Sequence, residues 1–128
     1  MYGFAGQSVA DWRDSLEKSI ELEADYITLY RMRYKGTGLQ DQANQVSKEV
    51  VSDMASAANQ ILHQAGYIAP PGKNTYSRLP GDAGTSDYLT NRVVKGTPYL
   101  GLGLGSAVAQ PQHPGLQPGG RAKKHRTL

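Results

Sequence analysis

Apolar side chains recur at helical spacing in two runs. Val9, Trp12, Leu16 and Ile20 follow one another at steps of three, four and four, which puts them on one face of a helix over residues 9–23. Ser8 stands where an N-cap belongs, and Asp11 three positions on completes a capping box, with Asp in place of the commoner Glu. Arg13 with Glu17 and Asp14 with Lys18 sit four apart on the polar side, where such pairs add roughly 0.2–0.5 kcal/mol each. Trp12 reads as a core anchor. The second run, Val46, Val50, Met54, Ala57, Ala58, Ile61, Leu62 and Ala65, keeps the spacing for about five turns. Asp41 is its expected cap and Gly66 its C′ residue. Met54 is core filling on this reading, and His63, beside the apolar face, is structural.

Between and around these runs the pattern changes to strands and turns. Residues 26–30, Tyr-Ile-Thr-Leu-Tyr, are strand formers in unbroken succession. Residues 1–6 predict the end of a strand and a turn. Strand, helix and strand in this order predict a parallel βαβ unit with a right-handed crossover. Arg31, Arg33 and Lys35 emerge at the carboxyl end of its second strand, where α/β folds hold their ligands, and three cations there suit an anionic carboxylate. A solvated strand end with paired charges explains them equally. Gly36-Thr37-Gly38 breaks the pattern. Residues 68–84, rich in Pro, Gly, Ser and Asn, predict an ordered loop or extended connection from which Tyr76, Arg78 and Asp82 could line a site. Residues 85–94 fit a short helix or a strand, and Lys95-Gly96-Thr97-Pro98 predicts a turn.

That turn leads into Tyr99-Leu100-Gly101-Leu102-Gly103-Leu104-Gly105, an apolar run with glycine at every second position. Met1-Tyr2-Gly3-Phe4-Ala5-Gly6-Gln7-Ser8 has the same character. Glycine inside a strand-like run lets a backbone or a ligand approach closely, at the expense of side-chain packing. Two such stretches point to a backbone-lined site; a strand with a neighbour pressed against it is the alternative. From Ser106 onward the chain has Pro111, Pro114 and Pro118, several glycines and no periodicity, and is expected to be disordered.

Composition narrows the chemistry. A chain of 128 residues makes one modest domain. It has no cysteine, which excludes a disulfide, a thiolate nucleophile and a cysteine-held metal or iron–sulfur cluster within these residues. No apolar stretch approaches the roughly 20 residues of a membrane span. The N-terminus lacks the basic start and apolar segment of a signal peptide, so the cytoplasm is the expected location. Net charge is +3, but Arg121, Lys123, Lys124 and Arg126 lie in the last eight residues. Without them ten basic side chains face eleven acidic ones, a net of −1, which argues against a nucleic-acid-binding body.

Four stretches in order resemble a known family. Tyr2-Gly3-Phe4-Ala5-Gly6-Gln7-Ser8 with Asp11-Trp12 resembles the "YGLPGQT…W" element of radical S-adenosylmethionine enzymes related to oxygen-independent coproporphyrinogen III oxidase. Tyr26-Ile27-Thr28-Leu29-Tyr30-Arg31-Met32, with Gly36-Thr37 following, resembles their "HISLY.L" strand. Leu62-His63-Gln64-Ala65-Gly66-Tyr67 resembles their "L…GY", and Tyr99 to Gly105 their "YLGLGLGA". Tyr88-Leu89-Thr90-Asn91-Arg92 is nearest the haem-utilisation members.

The resemblance implies an α/β chain forming the C-terminal portion of a partial (β/α)6 radical-SAM barrel. Residues 1–66 would supply its last βα units, 67–105 a C-terminal segment ending in the glycine-rich strand, and 106–128 the disordered basic tail. It implies S-adenosylmethionine and a [4Fe–4S] cluster as cofactors. Gly3, Gly6, Gln7, Gly101, Gly103 and Gly105 would lie near the S-adenosylmethionine pocket, with Met32 and Arg33 approaching its adenine. The implied activity is oxidative decarboxylation of porphyrinogen propionates, and Arg31, Arg33 and Lys35 are the candidates to contact those carboxylates. The chain departs from the family at three points. The Cys-x3-Cys-x2-Cys cluster loop is absent, Ala5 replaces the usual proline, and the acidic residue before the Tyr-Gly element is missing. A truncated member, inactive alone and without its own catalytic or metal-binding residues, is therefore expected, the missing N-terminal half lying on another chain or outside this sequence. A haem-degrading or methylating relative, and a non-catalytic haem-binding or chaperone protein, are the alternatives, each with a porphyrin or haem-type partner and no membrane. The tail also departs: codons for residues 112–119 exist that, shifted by one nucleotide, read Asn-Thr-Leu-Ala-Tyr-Asn-Gln-Gly, a family-like continuation, so a frameshifted tail is a further expectation.

Overall fold

The computed structural model describes residues 1–82 and 89–109, which belong to two units, Met1–Leu89 and Thr90–Leu128. In the first, helix α1 (Val9–Glu21) starts from the expected capping box. The Asp11 N–H donates to Ser8 Oγ and the Ser8 N–H donates to Asp11 Oδ2, both at 3.0 Å. These bonds from Ser8, the backbone one foremost, hold the Asp11 carboxyl below its ordinary range. The helix stops two residues before the expected end. Leu22 caps it, and Glu23 takes a left-handed φ of +54°, a conformation a side chain adopts under strain. Asp14 and Lys18 close their pair at 2.7 Å, whereas Arg13 and Glu17 form none.

Helix α2 (Lys48–Gln64) begins at Ser47, whose hydroxyl accepts from the Val50 N–H at 3.4 Å. The expected cap, Asp41, sits instead in the first turn of a separate 3-10 helix, Gln40–Gln45. Extended backbone at Val46 (φ −101°, ψ 117°) divides the two, so the apolar spacing at Val46 is not helical continuity. The far end closes as a Schellman motif. The Gly66 N–H donates to the His63 carbonyl at 3.0 Å and the Tyr67 N–H to the Leu62 carbonyl at 2.9 Å, with Gly66 at φ +86°. Leu62 and Tyr67 are both buried and supply the hydrophobic contact of that motif.

The helices pack on each other through Trp12, Leu16, Met54, Ala58 and Leu62, with Tyr67 and Tyr76 completing the core. The Trp12 indole N–H donates to the Met54 carbonyl at 2.9 Å, and its ring stacks on Tyr2 with centroids 5.2 Å apart. Val51, outside the apolar pattern read from the sequence, is buried as well.

Strand, helix and strand close in parallel as expected, through one bridge. The Tyr2 N–H donates to the Tyr30 carbonyl at 3.0 Å and the Met32 N–H to the Tyr2 carbonyl at 2.8 Å. On the opposite edge, β1 (Tyr26–Thr28) pairs antiparallel with β2 (Thr75–Ser77), Ile27 facing Tyr76. Ser77 exchanges two 2.8 Å bonds with Ile68, so β2 is also the return arm of a hairpin. Its reversal is Pro70-Pro71-Gly72-Lys73, with the Lys73 N–H on the Pro70 carbonyl at 3.0 Å and Gly72 at φ +74°. Pro and Gly occupy the positions a type II turn favours. A strand therefore lies where an ordered loop or extended connection was expected. The chain is mixed α/β with short, mostly antiparallel strands, and no barrel closes among the described residues.

In the second unit a π-helical turn, Thr90–Val94, is followed by the expected turn at Gly96 (φ +60°). The glycine run is a strand for two residues only: β3 (Tyr99–Leu100) pairs antiparallel with β4 (Val108–Ala109). Gly103 (φ +104°) and Gly105 (φ +75°) turn the chain back on itself, and β4 uses residues expected to be disordered. The rest of the tail, with its frameshift expectation, and Tyr88 lie outside the described residues.

Ser8→Ala is expected to lower unfolding free energy by about 1 kcal/mol, and Leu62→Ala by about 2–5 kcal/mol, in urea titrations. The folded-state Asp11 pKa lies below its ordinary 3.8. Its stabilisation is therefore complete above that value and is lost as pH falls through the folded pKa. Wild type should exceed Asp11→Asn in stability at neutral pH, and the two should converge in strong acid.

Candidate functional site

Two anchors hold the residues after Tyr2 against the segment that leaves β1. Tyr2 itself is the first, through its bonds to Tyr30 and Met32. The second is Tyr34, a buried side chain whose hydroxyl accepts from the Ala5 N–H at 2.7 Å. Between them Gly3 takes φ +85°. A Cβ there would lie 3.6 Å from Val51 Cγ2 and 3.7 Å from Arg31 Cγ, ordinary contacts, so the dihedral rather than space demands glycine. Gln7 closes the turn: its N–H donates to the Phe4 carbonyl at 3.1 Å, and its Oε1 accepts from the Phe4 N–H at 3.2 Å. Gly6 is also at positive φ, with open space where a Cβ would be.

Two cavities meet at Arg31, Met32 and Arg33. The larger, about 790 Å³, is walled by Tyr2, Leu29 and Tyr30 with Thr37 and Asn74. The smaller, about 470 Å³, lies by Gly3 and the start of α2, and Lys35 and Lys48 line it. Among the described residues, no Asp or Glu lines either one. Arg31, Arg33, Lys35 and Lys48 form no ion pair among the described residues, where the pairs are Lys18–Asp14 and Arg78–Asp25. Arg31, Arg33 and Lys35 are exposed, as a solvated strand end would have them, and no paired acid stands beside them among the described residues. The Met32 N–H is engaged by Tyr2, whereas the Met32 carbonyl and the Arg33 N–H take part in no described hydrogen bond.

The structure thus brings Gly3, Arg31, Met32, Arg33 and Lys35 together. Gly101, Gly103 and Gly105 belong to the second unit. Close approach at Gly101 is by its own chain: its N–H donates to the Ala107 carbonyl at 2.9 Å, and a Cβ would overlap that oxygen. A neighbouring strand accounts for that glycine.

Of the loop residues, Tyr76 is a core residue, not a lining one. Its hydroxyl donates to Asn59 Oδ1 at 3.2 Å, and burial first, with nearby Tyr2 second, pushes its pKa up. Arg78 reaches Asp25 at 3.4 Å, and buried Asp82 accepts from the Tyr26 hydroxyl. Both line a third cavity of about 300 Å³ beside Gly66 and Ile68. His63 meets Tyr76 edge-on, as a structural residue would.

Sequence reasoning missed Lys48 and the burial of Tyr34. The signal for Lys48 was Ser47, a good N-cap immediately before it; Tyr34 alternates with cations that point away from the core. The residues present do not fit an iron–sulfur cluster. The chain has no cysteine, and no group of three or more His, Asp or Glu side chains clusters among the described residues. Nor is any helix there long and apolar enough to cross a membrane. No protein-family model matches the chain, and no curated protein or solved structure matches it either.

Tyr34→Phe removes the acceptor for the Ala5 N–H and should cost about 1 kcal/mol. Hydrogen exchange at Ala5 should quicken, while amides of the α2 core keep their protection.

Proposed function

We propose that this chain is the later portion of a radical S-adenosylmethionine oxidoreductase resembling oxygen-independent coproporphyrinogen III oxidase, and that its part is to bind and orient an anionic tetrapyrrole. One observation carries the reading: Arg31 and Arg33, with no acidic partner among the described residues, stand where a cationic cavity meets one walled by Tyr2, Leu29 and Tyr30. A porphyrinogen has the matching division, an apolar macrocycle with carboxylates at its rim. Guanidinium groups take carboxylates in bidentate, charge-assisted bonds, with Lys35 as a third cation beside them. The unengaged Met32 carbonyl and Arg33 N–H offer one acceptor and one donor to the edge of an adenine.

Oxidative decarboxylation would belong to an assembled enzyme whose cluster is ligated by residues outside this sequence, and no step of it is assigned to this chain. The lack of cysteine favours a second reading, a non-catalytic haem-binding or chaperone protein using the same cavities.

The test is a titration of the full chain with coproporphyrin III and with its uncharged tetramethyl ester, followed by the Soret band. Each charge-assisted bond contributes about 1.5–3 kcal/mol, roughly tenfold or more in affinity. The free acid should therefore bind at least about tenfold tighter than the ester, an advantage that Arg31→Ala/Arg33→Ala/Lys35→Ala should abolish. Equal affinity for acid and ester, or an unaffected triple variant, would sink the proposal. Binding of S-adenosylmethionine alongside the porphyrin would favour the enzyme portion over the haem-binding protein.

A further inference from the structure

We infer that the smaller cavity, at the start of α2, is a subsite for an oxyanion carrying more than one negative charge, and that Lys48 is the residue that positions the anion in it. The inference rests on the reading that this side of the first unit faces the ligand, and adds a contact from a second element.

Lys48 is held in place by the helix it begins. Val51 lies three positions on, so the two share a side of α2. Val51 is buried, and its Cγ2 is the atom nearest to a Cβ built on Gly3. That side of α2 therefore faces the Gly3 turn, and Lys48 enters the cavity that Gly3, Arg31, Arg33 and Lys35 also line. Four cations, three on the segment after β1 and one on α2, line it, and none has an acidic partner among the described residues. Glu49, the next residue on α2, does not line the cavity.

The position of Lys48 is itself unfavourable in the free chain. It is the first residue of a 17-residue helix, where the exposed N–H groups and the helix dipole favour negative charge and disfavour a cation. The four cations are exposed, so water screens their mutual repulsion while all four remain available to an anion in the cavity. A monoanion matches one of these charges, whereas a phosphate or a pair of carboxylates matches two or more. Both present several anionic oxygens on a small group, and both suit ammonium and guanidinium donors.

The experiment compares the full chain with Lys48→Gln, Lys48→Arg and, as a charge control on the polar face of α1, Arg13→Gln. Binding of inorganic phosphate and of tricarballylate, a porphyrin-free polycarboxylate, is measured by calorimetry at low ionic strength, with thermal melts of each free protein. Lys48→Gln should weaken anion binding by about 5–10-fold while raising the melting temperature of the free chain. Lys48→Arg should stay within about twofold of wild type, and Arg13→Gln should change neither quantity. Preference for phosphate would assign the subsite to a phosphorylated ligand, and preference for tricarballylate to substrate carboxylates.

Lys48→Gln that binds anions as Arg13→Gln does, or that loses stability together with affinity, overturns the inference. Tight binding of coproporphyrin III that is indifferent to Lys48 removes the subsite and leaves the tetrapyrrole reading intact. Lys48-dependent anion binding by a chain that takes no porphyrin does the reverse.

Discussion

Trp12 connects three parts of the first unit that are distant in sequence. Its ring stacks on Tyr2, its indole N–H is satisfied by the Met54 carbonyl, and with Leu16 it closes the contact between α1 and α2. Leaving a buried N–H unpaired costs about 1–3 kcal/mol, and the ring contact contributes roughly 0.5–1.5 kcal/mol beyond its area. The consequence reaches further than stability. Tyr2, held by that ring, makes the one parallel bridge found among the described residues, to the segment after β1. That bridge sets where Arg31, Met32 and Arg33 leave the sheet, so the cationic surface takes its position from an aromatic contact in the core.

The helices were legible because their determinants are local. The Ser8–Asp11 box, the apolar steps through Trp12 and Leu16, and Gly66 at the end of α2 each act within one or two turns. The start of α2 was misplaced for a related reason: Val46 matches the apolar period by coincidence, and only backbone geometry reveals it as extended. Strand pairing is a different problem. Tyr26 to Thr28 were legible as strand formers, and the strand–helix–strand order gave the parallel pairing that Tyr2 makes further on, at Arg31; the antiparallel partner of Tyr26 to Thr28, residues 75–77, lies where no local rule selects it. The Pro71-Gly72 turn signal was present, yet Thr75-Tyr76-Ser77 is too short for alternation to show.

The candidate site was legible in one half. Arg31, Arg33 and Lys35 could be placed from their position after a strand, since chain direction alone carries them past its end. Lys48 could not, because its approach depends on the packing of α2 against the Gly3 turn. The glycine-rich run illustrates the limit of pattern reading. Alternating glycines predicted close approach by a backbone or a ligand, and at Gly101 the approaching group is the carbonyl of Ala107, six residues along the same chain. Gly103 and Gly105 serve the turn between.

The arrangement of the first unit separates stability from binding. Its apolar side is well satisfied: Tyr34 and Trp12 both use their polar atoms, and no buried side-chain nitrogen or oxygen among the described residues lacks a partner. The opposite condition holds around the smaller cavity, where four cations lie with no acidic partner among the described residues and one of them opposes the dipole of its own helix. Neutralising or reversing such a charge at an exposed helix start is an easy way to stabilise a fold. Three of the four lie on the segment pinned at Tyr2 and Tyr34, and the fourth at the start of α2. Charge of one sign at the mouth of a cavity raises the local concentration of any small anion, whatever the rotamers of the side chains that carry it.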